Sequence, residues 1–252
     1  MSQKPTLSIF GGNGRFGKLF CQLLSSDFKV QVFDPTPTST PLPEVQQVDF
    51  ETAVKASTLI LAVPIRHLES MVKQIAPLIK PGTTVMDVCS VKIFPAQWMT
   101  EHLGEKANLI ATHPLFGPNS FNIPSARKIT LHNLNAPEQT FSFWKQYFEN
   151  LNIPVIELSP ELHDQIMARS QGITHFIGRI LKAMDAKSSP LDTAGFEALL
   201  NVMDKTCNDS FDLFADLLHF NPYTTEALEC FSEAIDEVLL NLDRNKKLRE
   251  KL

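Results

Sequence analysis

Ile9-Phe10-Gly11-Gly12-Asn13-Gly14-Arg15-Phe16-Gly17 is the stretch from which the rest of this sequence is read. The chain has 252 residues and ten glycines, about 4% against a usual ~7%. Four of the ten lie between positions 11 and 17. A glycine-poor chain that gathers its glycine at one spot needs special backbone there. The stretch contains G-x-G-x-x-G at Gly12, Gly14 and Gly17. It follows an apolar run with strand character, Leu7–Phe10, and opens a helical pattern, Arg15–Ser25. Asp34 closes the next strand 22 residues after Gly12. Each part has a place in a βαβ dinucleotide site. Gly12 makes the tight turn, Gly14 lets backbone approach a pyrophosphate, and Gly17 lets helix and strand pack closely. The helix N-terminus offers N–H groups and a positive dipole to the phosphates, with Arg15 and Phe16 in the same loop. Asp34 is placed to bond the ribose hydroxyls and to repel a 2′-phosphate, so NAD is expected rather than NADP.

Outward from the motif, short β-rich runs alternate with helix-length segments as far as residue 159. Strands are predicted at Leu7–Phe10, Lys29–Phe33, Thr58–Val63, Thr84–Val88, Asn108–Thr112, Lys128–His132 and Pro154–Leu158. Helices are predicted at Arg15–Ser25, Leu68–Ile79, Pro95–Leu103 and Pro137–Leu151. That alternation predicts an α/β fold: a Rossmann-type, doubly wound, mostly parallel sheet. Pro35–Pro43 holds four prolines and reads as a surface loop. After residue 160 the strand signals stop. Glu161–Met184 is one long helical pattern, and Gly195–Thr206, Ser210–Leu218 and Thr225–Lys251 come after it. The expected organisation is a nucleotide-binding domain over 1–159 and an all-helical substrate and dimerisation domain over 160–252. Phe231, Ile235, Val238 and Leu239 repeat at helical spacing, which suits either a homodimer face or an internal core.

Composition mainly excludes. Hydrophobic residues make up 43% of the chain, enough for a packed core, so disorder and collagen-like readings fall away. A net charge of −5 argues against nucleic acid or an anionic membrane as the main partner. No apolar run approaches the ~20 residues that span a bilayer, and Leu7–Phe10 is too short for a signal-peptide core. Cys21, Cys89, Cys207 and Cys230 form no C-x-x-C pair, so neither a zinc site nor a disulfide framework is expected. A reducing cytoplasm is the expected setting.

Three later strand ends carry the candidate chemistry. Leu59–Pro64 is wholly apolar and ends on the ligand edge of such a sheet, so Val63, Pro64 and Ile65 are expected to border the cofactor. Asp87-Val88-Cys89-Ser90-Val91-Lys92 and Thr112-His113-Pro114-Leu115-Phe116-Gly117-Pro118 should open onto the same edge. A histidine there titrates near neutrality and can take a hydroxyl proton as hydride leaves. Ser90 is placed to orient His113 by a hydrogen bond. Lys92 is a point charge suited to a substrate carboxylate or to the loop backbone.

Taken together, these segments resemble the prephenate/arogenate dehydrogenase family. The likeness is carried by the glycine motif, Ser90-Val91-Lys92, His113-Pro114-Leu115-Phe116-Gly117-Pro118, and His163-Asp164-Gln165 with Gln171 and His175-Phe176. It is strongest to the dehydrogenase half of the bifunctional T-protein and covers nearly the whole chain. No chorismate mutase segment is expected, since the first strand begins near residue 6. The resemblance implies oxidative decarboxylation of prephenate: hydride leaves the hydroxyl-bearing ring carbon for NAD+, the ring carboxylate leaves as CO2, and 4-hydroxyphenylpyruvate results. His113 matches the catalytic histidine and Ser90 the serine beside it. His163, Gln171 and His175 match positions lining the substrate pocket. Helical register adds that Leu162, Ile166, Ile173, Ile177 and Ile180 form one apolar stripe. His163, Met167, Ser170, Gln171, Thr174, His175 and Gly178 share a neighbouring face without fixed charge.

The sequence departs from the family at two arginines on the helix after Ser188-Ser189-Pro190. Aligned back from Leu213-Phe214-Ala215-Asp216, those positions hold Glu197 and Lys205. Lys205 keeps a positive charge for a substrate carboxylate but not the two-pronged geometry. Arg169 and Arg179 are the other guanidinium candidates. Arogenate or another cyclohexadienyl substrate, a different two-domain NAD(P) oxidoreductase such as a β-hydroxyacid dehydrogenase or imine reductase, and a degenerate NAD-binding paralogue remain as alternatives.

Overall fold

The structure is a computed structural model that describes residues 4–36, 42–118 and 120–249, with side chains described as far as residue 244. The chain divides into two units, Met1–His163 and Asp164–Leu252. The division falls just after the 159/160 boundary expected from the strand signals, and it leaves His163 with the sheet.

In the first unit, strands and helices alternate. They are β1 (Thr6–Phe10), α1 (Arg15–Leu24), β2 (Lys29–Phe33), β3 (Gln46–Gln47), α2 (Phe50–Ala53), β4 (Thr58–Leu61), α3 (Ile65–Ile75), β5 (Thr83–Asp87), α4 (Ile93–Leu103), β6 (Ala107–Pro114), β7 (Ile129–Asn133), α5 (Glu138–Asn150) and β8 (Val155–Glu157). Among the described residues the strands make one sheet in the order β3-β2-β1-β4-β5-β6-β7-β8. The order reverses between β1 and β4, which is where a doubly wound sheet opens a crevice at its carboxyl edge. The central strands β4 and β5 are buried throughout, as continuous apolar runs in a covered parallel sheet should be. The expected parallel sheet holds from β3 to β6, but β7 runs antiparallel to β6, with His113 opposite Thr130. Leu115–Lys128 contains Gly117, Pro118 and Pro124, and its described residues form turns and one short 3-10 helix, with no α-helix. Without a crossover helix the chain doubles back instead of returning to a parallel position.

The second unit holds the second half of α6 (Pro160–Met167), then α7 (Ile173–Ala183), α8 (Ala194–Cys207), α9 (Phe211–His219) and α10 (Thr224–Arg249). Ser159 starts α6: its Oγ accepts from the Leu162 N–H at 3.2 Å, proline comes next, and Glu161 occupies the first turn. Each feature favours a helix start. The single helix expected over Glu161–Met184 is interrupted by a π-helical turn at Ala168–Gly172. Ser170 Oγ donates to the Ile166 carbonyl at 2.6 Å and Thr174 Oγ1 to the Ser170 carbonyl at 2.8 Å. Such back-bonding competes with the helical ladder and bends helices. Of the expected apolar stripe, Leu162, Ile166 and Ile180 are exposed, while His163 and Asp164 are buried. Gly178 instead lets α7 meet α8, since a Cβ there would collide with Thr206 Oγ1. The loop expected over Pro35–Pro43 falls largely outside the described residues.

Candidate active site

The glycine turn comes after β1 and leads into α1. Gly11 has φ +79°, and a Cβ on it would strike the Ala62 carbonyl oxygen at 2.5 Å. The left-handed turn is therefore made by Gly11, not by Gly12 as the motif suggests. Gly12 is needed for packing instead, because its Cβ would lie 2.5 Å from a Val32 methyl. Gly17 lies against the turn itself, where a Cβ would come within 2.3 Å of the Gly11 oxygen. Gly14 differs. A Cβ there would meet only the Gly11 oxygen, at 3.3 Å, and otherwise open space. No side chain caps α1 and its first turn holds no acid, so the N–H groups of its positive end are not spent on a side-chain cap.

Asp34 sits just past β2, where its carboxylate accepts from the Asn13 N–H at 3.0 Å and the Thr36 N–H at 2.9 Å. These bonds fix the acid beside the glycine turn, where a ribose would lie in this fold. Val63 borders the turn, its Cγ1 lying 3.3 Å from where a Gly11 Cβ would be. Pro64 is the N-cap of α3 and is exposed. These residues fit a dinucleotide: the loop keeps its one open glycine where a pyrophosphate must approach, and the acid is held in place for a ribose.

At the ends of β5 and β6 a carboxylate takes over from the sheet ladder. Asp87 is fully buried and accepts from the Cys89 N–H at 3.0 Å, from the Thr112 N–H at 3.2 Å and from Lys92. Lys92 Nζ donates also to the Thr112 carbonyl at 2.6 Å, and Thr112 Oγ1 donates to the Asp87 carbonyl. Lys92 is only 2% exposed. It therefore takes the loop-backbone role and corrects the expectation of a substrate carboxylate as its partner. Asp87 was missed by motif reasoning, although a carboxylate ending a buried apolar strand needs a partner, and that is a signal the sequence contains.

This clamp holds the last residues of β6, among them His113, which is 4% exposed. Burial, then His163, then the Lys92 cation hold the His113 imidazole well below its ordinary pKa, so the ring is neutral at pH 7. Its Nδ1 lies 2.8 Å from His163 Nε2. The ring partner of His113 is thus His163 rather than Ser90, which is half-buried in the loop before α4. Three residues beyond His113, Phe116 stacks on Phe16 of α1 with centroids 6.3 Å apart. The histidine segment and the glycine segment are thereby packed together in one unit.

In the second unit, Gln171 lies in the π-helical turn and His175 one turn further along. Gln171 Oε1 and His175 Nδ1 are buried with no hydrogen-bond partner among the described residues. Burial lowers the His175 pKa, Asp209 opposes this, and Arg179 adds to it. Lys205 and Glu197 are both exposed on α8. The other guanidinium candidates have partners: Arg169 pairs with Glu226 at 2.9 Å, and Arg179 donates to the Asp209 carbonyl at 2.8 Å.

Sheet order, switch-point glycine turn and ribose-facing acid define a Rossmann-type dinucleotide-binding protein with a helical second unit. Residues 43–135 match the family model "Prephenate dehydrogenase, nucleotide-binding domain", and residues 180–252 match "TYRAAT1-like, C-terminal domain". A probable arogenate/prephenate dehydrogenase of Methanocaldococcus jannaschii is 29% identical over 95% of this chain and 58% of its own length. Arogenate dehydrogenase 2 of Arabidopsis thaliana is 34% identical over 64% of this chain and 46% of its own. The chain thus spans about half the length of these curated relatives. A crystal structure of prephenate dehydrogenase from A. aeolicus, in complex with hydroxyphenyl propionate and NAD+, superposes with a TM-score of 0.76. It covers 98% of this chain and 94% of that one, at 17% identity, and shows the shared fold. The chain is thus similar to arogenate/prephenate dehydrogenases, and residues 43–135 of its first unit match the nucleotide-binding domain model of prephenate dehydrogenase.

Proposed function

We propose that the chain performs the NAD-dependent oxidative decarboxylation of prephenate to 4-hydroxyphenylpyruvate, with His113 taking the proton of the ring hydroxyl. The observation that carries this reading is the placement of His113. A buried, neutral imidazole sits at the carboxyl edge of the sheet, on a segment packed against the glycine-turn helix. It is a base ready at pH 7. Bound NAD+ supplies the hydride acceptor. Gly14 and the start of α1 would hold its pyrophosphate. Asp34 would hold the adenosine ribose, and its charge disfavours the extra phosphate of NADP. Loss of the ring carboxylate as CO2 is driven by aromatisation and needs no further acid from the protein. Gln171, His175 and Lys205 are assigned to the substrate. The two buried, unpartnered atoms of Gln171 and His175 would each gain by a ligand bond, since a buried unmet polar group costs about 1–3 kcal/mol. A second reading, arogenate in place of prephenate, is supported by the name of the Arabidopsis relative, while the Methanocaldococcus relative is named for both substrates.

The test is NADH or NADPH formation followed at 340 nm with each substrate and each cofactor. Turnover is expected with prephenate and NAD+. His113→Asn should lower kcat by about 10²–10⁴-fold while NADH binding, read by fluorescence, survives. Near-normal turnover in that variant would remove His113 from the chemistry. Turnover on arogenate alone would move the substrate to the second reading. Cofactor binding without turnover on either would leave a non-catalytic paralogue.

A further inference from the structure

The pair made by His113 and His163 has a consequence for which nitrogen of His113 is bare. We infer that His163 is a positioning residue: its Nε2 meets His113 Nδ1 and holds the His113 ring in the tautomer that leaves His113 Nε2 free to accept a proton. The inference rests on the proposed role of His113 as the base. It reassigns His163, expected from the resemblance to line the substrate pocket, because its Nε2 is engaged by another side chain.

The geometry supports a specific bond rather than a stack. The two rings meet with centroids 5.0 Å apart and planes at 69°, and His163 is only 1% exposed. Two imidazole nitrogens 2.8 Å apart must share one proton, and a neutral ring carries only one. If His113 carries it on Nδ1 and donates, its Nε2 holds a lone pair and can act as a base. If His163 donates, His113 must carry its own proton on Nε2 and cannot. Base chemistry therefore requires the first arrangement, with His163 protonated on Nδ1.

The charged and titratable groups packed around the pair explain why a second histidine suits this position. Lys92 comes from the loop before α4, Asp87 from the end of β5, and His163 from α6. Lys92 and Asp87 already balance each other. A carboxylate beside His113 would add an unbalanced buried charge and hold the ring as imidazolium. A neutral imidazole orients it without doing so. When the substrate O–H bond breaks, its proton forms an N–H bond at His113 Nε2. The Nδ1–H···Nε2 bond then becomes charge-assisted and stronger, and the Nδ1 proton can cross to His163 so that either ring holds the charge.

The test uses the full chain in two arms. In the first, 15N-histidine NMR without substrate should show His113 protonated on Nδ1 and bare on Nε2. In the second, His163→Ala should lower kcat by about 10²-fold, with KM and NAD+ affinity within about threefold. His163→Gln, whose side-chain oxygen can accept the same proton, should restore kcat to within about tenfold of wild type. His163→Asp should move the acid limb of the kcat–pH profile upward by about one unit. Wild-type kcat and acid limb in His163→Ala, or a His113 proton on Nε2, would overturn the inference. Absence of wild-type turnover on both substrates would instead defeat the proposed function, and the NMR arm would still decide the tautomer.

Discussion

At the scale of single residues, the chemistry turns on one histidine and what its burial does to it. His113 is neutral in the fold, whereas an unfolded chain binds a proton there below about pH 6.5. Below that pH the unfolded state therefore holds more protons than the native one. The contribution of His113 to stability is complete above about 6.5 and is lost as pH falls toward the depressed folded value. His175 shifts in the same direction. Urea unfolding should show stability falling as pH drops from about 6.5 toward about 5.0. His113→Gln should flatten that slope, and an unchanged slope would mean that the ring is not held neutral. His113 was legible in the sequence as a candidate, because a histidine beside Pro-Leu-Phe-Gly-Pro after a strand is an uncommon pattern. Its partner was not. His163 lies 50 residues away, and nothing local marks it as facing His113 rather than a ligand. The same limit applied to Lys92, whose partners Asp87 and Thr112 converge only once β5 and β6 lie side by side.

At the scale of elements, the strand–turn–helix unit at the glycines was legible almost completely, because each of its demands is local. The structure redistributes the duties within it: Gly11 makes the turn, Gly12 and Gly17 permit close packing, and Gly14 is left facing open space. This separation is testable. Gly17→Ala drives a Cβ into the turn backbone and should destabilise the fold by several kcal/mol, roughly the scale of a strained backbone site plus overpacking. Gly14→Ala should leave the unfolding free energy within about 1 kcal/mol and weaken NAD+ binding by at least about tenfold, read by calorimetry. Equal losses of stability in the two variants would show that Gly14 is a packing glycine and not part of a phosphate cradle. Other elements escaped sequence reading for identifiable reasons. β3 and α2 are too short to show a period. The reversal of β7 depends on what a proline-rich connection cannot form. The π-helical turn at Ala168–Gly172 adds one residue that no 3.6-residue period reveals.

At the scale of the whole molecule, α10 carries an apolar face that the described residues leave exposed. Phe231 meets Phe176 of α7, but Ile235, Val238, Leu239 and Leu242 are exposed, so the rest of the repeat seen in the sequence is not covered by the described residues. A second copy of the chain is the expected cover. Light scattering after size-exclusion chromatography should give twice the 28.2 kDa chain mass. Val238→Asp with Leu239→Asp should halve that mass, since a buried unpaired charge opposes association. A monomeric wild type would defeat the dimer. What the sequence by itself determined were the features with short-range causes: the glycine turn, the alternation that winds the sheet, the acid after β2 and the change to an all-helical second half. Periodicity and backbone freedom act over a few residues and leave their record there. Only the tertiary structure decided which side chains spend their charges and protons on one another. Lys92 closes on Asp87 and His113 on His163 because burial makes leaving such groups unpaired costly, and partners brought together by the fold are adjacent in space but not in sequence.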